Sequence, residues 1–280
     1  MARQSVTPSL RMPLEHGAWG ILIVPFVCAA GLAGRWNMPL LLVGACTLSL
    51  FLLRGSLEAQ GSPPQLSRAA WSLWLQPAHL ILATTSGTAA GLLVLHYRRY
   101  QLFWVGPLAI LLYSAQRRLI QLHHAPHAEK RSLAAELVGV ALLTLTAPAA
   151  WIAARGALDT AGVKVWLLNV LFFLGGVLYV KYRVRGLLAH RPFCSGRERL
   201  SFAWPVFLYH LLLVVFLATW VVLNLQPAAV MLAFVPGILR ASGLLFQLGR
   251  RFAIPRLGLS EILHSLLFAA LLIFALRSAA

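Results

Sequence analysis

The stretch Leu200–Leu239, LSFAWPVFLYHLLLVVFLATWVVLNLQPAAVMLAFVPGIL, runs 40 residues without an Asp, Glu, Lys or Arg. A membrane-crossing helix uses about 20 residues, so this run holds two spans. Asn224-Leu225-Gln226-Pro227 is the natural break between them, because proline disfavours helix in the residue before it. Working outward from this pair, charge-free or nearly charge-free runs predict spans at 17–34, 38–53, 73–96, 101–116, 134–154, 164–182, 203–223, 228–249 and 259–276. The composition agrees: the 280 residues are 60% hydrophobic and 11% charged, with mean hydropathy +0.78. A soluble domain carries about 25% charged residues, so this chain cannot cover a water-facing surface. The expected fold class is all-α, a polytopic membrane bundle of about nine transmembrane helices. It would form one transmembrane domain over residues 1–280, with no space for an appended soluble domain.

The formal charge is +17, from 24 Lys and Arg against 7 Asp and Glu. In a soluble protein this excess would point to nucleic acid. Here the basic residues lie in short loops between apolar runs, where cytoplasmic retention and lipid headgroups explain them. With the N-terminus inside, 18 of the 24 fall on the inner side; Arg35, Arg98, Arg99, Arg155, Lys164 and Arg277 make up the outer set. This bias predicts a cytoplasmic N-terminus and, with an odd number of spans, an outside C-terminus. Arg3 and Arg11 before an apolar run imitate a signal peptide. The run Gly17–Gly34 is long enough to anchor and opens on Glu15-His16, so an uncleaved first span is expected. Cys28, Cys46 and Cys194 form no CxxC spacing, which supports neither a disulfide framework nor a zinc site.

The polar residues gather at one depth. Glu15 and His16 open span 1, and Arg54 closes span 2. His79 lies about two turns into span 3; Arg117 closes span 4, and Glu136 opens span 5. Lys181, Arg183 and Arg185 close span 6. His210 sits about two turns into span 7, Arg240 near the inner end of span 8, and Glu261 and His264 open span 9. Each expected span thus contributes a titratable or basic group to the inner third. Ionisable groups at membrane depth are expensive and tend to mark cavities or ligand sites. A long arginine or lysine can instead reach the headgroups, whereas Glu136, Glu261, His210 and His264 reach less far. Glu261-Ile262-Leu263-His264 puts a carboxylate and an imidazole on one helix face. A di-metal carboxylate bundle needs two such motifs, and the chain has one. His123, His124, His127 and Glu129 form a polar loop that Pro126 interrupts. No metal site is expected.

Met12-Pro13-Leu14-Glu15-His16-Gly17-Ala18-Trp19 resembles the opening of the YwiC-like family of bacterial integral membrane proteins. Ala135-Glu136-Leu137, the segment Tyr179–Arg185 and Arg256-Leu257-Gly258 through Ser265 fit the same pattern. The resemblance implies a multi-pass protein of a bacterial inner (plasma) membrane and no particular reaction. More distantly, nine spans with a polar inner face resemble the UbiA-type intramembrane prenyltransferases. Those enzymes hold an isoprenoid diphosphate through Mg²⁺ on Asp-rich loops after spans 2 and 6. Here the 54–72 loop holds only Glu58 and the 183–202 loop only Glu198, and Asp159 is the one aspartate. Two Mg²⁺ clamps cannot be assembled from these carboxylates.

The leading expectation is a cytoplasm-facing polar cavity that binds an amphipathic lipid with an anionic head, such as an isoprenoid phosphate. Arg117, Lys181, Arg183, Arg185 and Arg240 would hold the head, since arginine and lysine bind phosphate without a metal. Glu15, His16, Glu136, Glu261 and His264 would be acid–base or orienting groups, and any chemistry would be a prenyltransferase-like transfer lacking the Asp-rich Mg²⁺ motifs. In a closed ring the first and last spans can be neighbours, which would join the Glu15–His16 and Glu261–His264 pairs. Two other classes stay open: a haem- or quinone-associated module using His16, His79, His210 and His264, and a small-solute transporter. The sequence singles out no cofactor and no oligomeric state.

Overall fold

The computed structural model describes residues 16–59, 76–122, 132–188, 195–248 and 253–279. These residues form α1 (His16–Ala33), α2 (Met38–Ala59), α3 (Pro77–Gly91), α4 (Leu102–Leu122), α5 (Leu133–Thr144) and α6 (Thr146–Arg155). They continue as α7 (Thr160–Leu188), α8 (Gly196–Val222), α9 (Val230–Ser242), α10 (Leu244–Gln247) and α11 (Ile254–Arg277). A π-helical turn, Leu92–His96, prolongs α3. Since α5 runs into α6 and α9 into α10, the described residues make nine helical rods that coincide with the nine expected spans. By length and composition seven of them can cross a membrane. The apolar stretch of α1, Gly17–Ala33, is shorter. The α4 rod is not among the seven; it carries Gln116-Arg117-Arg118 before its last turn and has no buried residue.

The punctuation is chemical. Asn37 Oδ1 accepts from Leu40 N at 3.1 Å, and Asp159 Oδ1 from Gly162 N at 2.8 Å, so both cap the first turn of a helix. Ser195 does the same for α8 through Glu198 N at 3.2 Å. Gly156, with φ +98°, ends α6 in the left-handed region. α8 ends at Val222 and Asn224 takes φ +55°, which places the break in the 40-residue run where Pro227 predicted it. The α5–α6 break follows from Pro148, which cannot donate back to Thr144. The polar groups around it are used: Thr146 Oγ1 donates to Leu22 O at 2.9 Å, and Trp166 Nε1 donates to Thr144 Oγ1 at 3.2 Å.

The α5–α6 rod is the axis of the molecule. Its span is 72% buried, against 17–39% for the other six. Ala147, Ala149, Ala150, Ala153 and Ala154 explain this, because small side chains let backbones approach closely without a hydrophobic drive from water. Around the axis stand α1, α2, α4 and α7, and α3 packs outside α2. α7 in turn meets α8 and α9, and α9 meets α11. α11 closes the ring on α1, as expected of the first and last spans. The two run parallel: Gly20 faces Ser265, Gly31 faces Ile273, and Arg277 donates to Gly31 O at 2.5 Å. Leucines such as Leu208, Leu211, Leu263 and Leu266 point outward.

Candidate functional site

The site grows from the last third of α7. Phe172, Gly175, Gly176 and Tyr179 recur at i, i+3, i+4 and i+7, so they form one stripe. Gly175 sits under a close approach: a Cβ there would stand 3.1 Å from Tyr209 Cε1 and 3.3 Å from His210 Nε2. At Gly176 a Cβ would make only an ordinary contact, 3.7 Å from Glu261 Oε2. Opposite this stripe α8 presents His210 and Leu213, α9 presents Phe234, Gly237 and Arg240, and α11 presents Glu261 and His264. They enclose a cavity of about 30 Å³, room for about two waters.

Arg240 organises the cavity. Its Nη2 pairs with the Glu261 carboxylate, and its guanidinium lies 3.8 Å from the centroid of the Tyr179 ring. Such stacking contributes about 0.5–2 kcal/mol. The Tyr179 hydroxyl donates to Gln247 Oε1 at 2.8 Å, and Arg183 Nη1 donates to Gln247 O, which fastens the short α10 under the site. Each histidine is tied back to its own helix: His210 Nδ1 to Val206 O at 2.7 Å and His264 Nδ1 to Ser260 O at 2.8 Å. A carbonyl only accepts, so each Nδ1 carries a proton.

The expected site residues divide accordingly. Arg240, Glu261 and His264 converge on the cavity. Lys181, two residues past Tyr179, lies on another face of α7 and pairs with Glu136 Oε2 at 2.7 Å across α5. Arg183 holds the Gln247 carbonyl, and Arg185 is exposed with its guanidinium 5.7 Å from the Tyr182 ring centroid. Arg117 belongs to α4, which packs on α5 and α6 and not on the cavity wall. Glu15 lies outside the described residues, and so does the His16 side chain; the polar loop 123–129 does as well. His79 is buried between α2 and α3, with Nε2 2.9 Å from Ser56 Oγ, so it does not join His210 and His264. Tyr179, Gly175, Gly176 and Gln247 were not singled out from sequence. The aromatic-and-glycine stripe of α7 is the signal that could have found them.

The same end of the molecule carries a second network. Arg54 donates Nε to Glu58 Oε1 at 3.0 Å and Nη2 to Gln116 Oε1 at 2.9 Å, while Gln116 Nε2 donates to Ala135 O at 3.2 Å. This ties α2, α4 and α5 together. At the opposite end Lys164 Nζ donates to Leu225 O at 2.6 Å, and the Arg155 guanidinium lies 5.2 Å from the Trp151 ring centroid. Among the described residues no three His, Cys, Asp or Glu side chains are placed to hold a metal ion.

The profile of the family described as YwiC-like protein matches residues 12–151, from the PLEHGAW opening to Trp151. A relative, the uncharacterized protein YwiC of Bacillus subtilis (strain 168), is 26% identical over 268 residues, spanning 93% of this chain and 96% of the relative. No solved structure matches. With half of its length matched by the profile, and the motif Pro13–Trp19 inside that match, this multi-pass membrane chain belongs to the YwiC-like protein family.

Proposed function

We propose that the protein binds an amphipathic lipid with an anionic head, and that Arg240 receives the head in the cavity between α7, α8, α9 and α11. The observation that carries this is the environment of Arg240. It is held between one carboxylate and one aromatic face, beside two imidazoles, where an arginine keeps N–H donors to spare. About 30 Å³ admits head-group oxygens and excludes an acyl or isoprenoid chain. The tail therefore stays in the bilayer against the outward leucines of α9 and α11, Leu239 and Leu263 among them. Chemistry on the head, were there any, would fall to Glu261 and His264. The basic bias supports a cytoplasmic side of a bacterial inner membrane for this end; a reporter fused after Ala280 should then work only outside the cytoplasm, and one active in the cytoplasm would reverse the orientation.

Gly237 provides the test of occupancy. It lines the cavity, and a Cβ there meets nothing within 4 Å. Gly237→Leu starts from that open position and carries its branch into the cavity. Mass spectrometry of lipids extracted from the purified proteins should show an anionic lipid enriched over the host membrane in the wild type. The enrichment should disappear in Gly237→Leu. Identical lipid profiles would refute the reading.

A further inference from the structure

The end of the molecule opposite the Arg240 cavity carries a separate cluster. Six basic residues fall there by span order, Arg35, Arg98, Arg99, Arg155, Lys164 and Arg277, against one acid, Asp159. Two of the six are spent within the fold, since Lys164 donates to Leu225 O and Arg277 to Gly31 O. The other four belong to three turns that are fastened to one another. Asn37 Nδ2 donates to Ala154 O at 3.0 Å, which ties the α1–α2 turn to the end of α6. Gln101 Oε1 accepts from Leu158 N at 2.6 Å, which ties the α3–α4 turn to the α6–α7 turn. Arg99 lies across Gly156, where a Cβ would stand 2.6 Å from its Nη1, so the glycine admits both this guanidinium and a φ of +98°.

We propose that these three turns form a second site, for the phosphodiester head of an anionic phospholipid in the leaflet away from the Arg240 cavity. The argument is a shortage of acceptors. Among the described residues none of the four arginines pairs with a carboxylate, and Asp159 turns Oδ1 to Gly162 N. Two buried donors at the same junction also lack a partner among the described residues. They are Arg99 Nε and the indole Nε1 of Trp151, over whose ring the Arg155 guanidinium lies. Like charges gathered without an anion repel one another, and an unsatisfied buried donor is costly. A phosphodiester supplies what is missing, one negative charge and acceptor oxygens only. The exposed rings of Trp36, Tyr100 and Trp104 adjoin these turns, and such rings mark head-group depth. The phosphate at that level belongs to a lipid. A zwitterionic head brings an ammonium that meets four cations and one acid, so the site discriminates against it.

An exposed, salt-screened contact exchanges in detergent, so the test is made in a bilayer. The full chain is placed in phosphatidylethanolamine nanodiscs holding a minor share of phosphatidylglycerol with a photoactivatable diazirine beside its head, and cross-linked peptides are mapped by mass spectrometry. A basic residue at a charged membrane surface contributes about fivefold in binding. In the wild type the probe should label turns 34–37, 97–101 and 155–159 about fivefold or more over a matching phosphatidylethanolamine probe. Arg99→Gln should lower that labelling about fivefold, and Arg98→Gln, at an exposed turn position, should lower it too. Asp159→Asn keeps a cap on α7 and removes the one negative charge at this end, so it should raise the labelling. Gly237→Leu should leave the labelling unchanged, so this site and the Arg240 site fail or stand separately. Equal labelling by the two probes overturns the proposal. Labelling that none of Arg99→Gln, Arg98→Gln and Asp159→Asn alters also overturns it. Suppression by an equal concentration of inorganic phosphate would overturn the lipid assignment in favour of a free anion.

Discussion

Two ion pairs lie beside different faces of α7, and they are built alike. Lys181–Glu136 spans α7 and α5, with side chains 8% and 28% exposed; Arg240–Glu261 joins α9 to α11 beside Tyr179, at 13% and 20%. What separates them is the surroundings. A lysine is a compact point charge, and Glu136 answers it with one oxygen at 2.7 Å. Arginine is a fork with more donors than one carboxylate uses, and this one borders an open volume shared with two imidazoles. Burial and pairing therefore describe a clasp equally well as a site. Leftover hydrogen-bonding capacity next to empty space is the feature that tells them apart.

The comparison can be broken most forcefully at the clasp. Lys181→Met leaves Glu136 without the cation that neutralises it, and an uncompensated buried charge costs about 3–5 kcal/mol. Thermal unfolding in detergent should show a large loss of stability. Lys181→Met combined with Glu136→Leu should recover most of it, since apolar replacement of a buried pair is often neutral. A single variant as stable as the wild type would show that the pair is no clasp.

A smaller effect is expected in the Arg54 network. A Cβ at Gly139 would lie 2.4 Å from Gln116 Nε2, so Gly139→Ala must push Gln116 off Arg54 and Ala135 O. Overpacking of this kind costs about 1–3 kcal/mol, read as a lower unfolding midpoint with lipid binding unchanged. Loss of lipid binding instead would connect the two networks functionally. The smallest effect belongs to Arg185, which is exposed over Tyr182. Arg185→Gln should stay within about 0.5 kcal/mol and keep its lipid; a loss of lipid would move the head-group site toward the end of α7.

Much of the fold was legible because hydropathy and proline act locally. The break at Asn224–Pro227 and the nine rods follow from runs and breakers along the chain. The adjacency of α1 and α11 was legible as a property of a closed ring. The site was legible only in part, because which face of a helix meets which neighbour is a tertiary property. Glu261 and His264 announced themselves by polarity at depth. Lys181 and Arg117 announced themselves equally, yet one clasps α5 and the other sits on α4. Gly175, Gly176 and Tyr179 carry no charge and so gave no such signal, although the glycines bring α7 close to His210 and Glu261.

The central claim is that the Arg240–Glu261 pair is a binding element and the Lys181–Glu136 pair is not. Native mass spectrometry of two pair-neutralised proteins tests it directly, with phosphatidic acid as the probe: Arg240→Gln/Glu261→Gln against Lys181→Met/Glu136→Leu. The account predicts wild-type adducts on the Lys181 double variant and none on the Arg240 double variant, with both folded by circular dichroism. Equal adducts on both, or loss confined to the Lys181 variant, would contradict it.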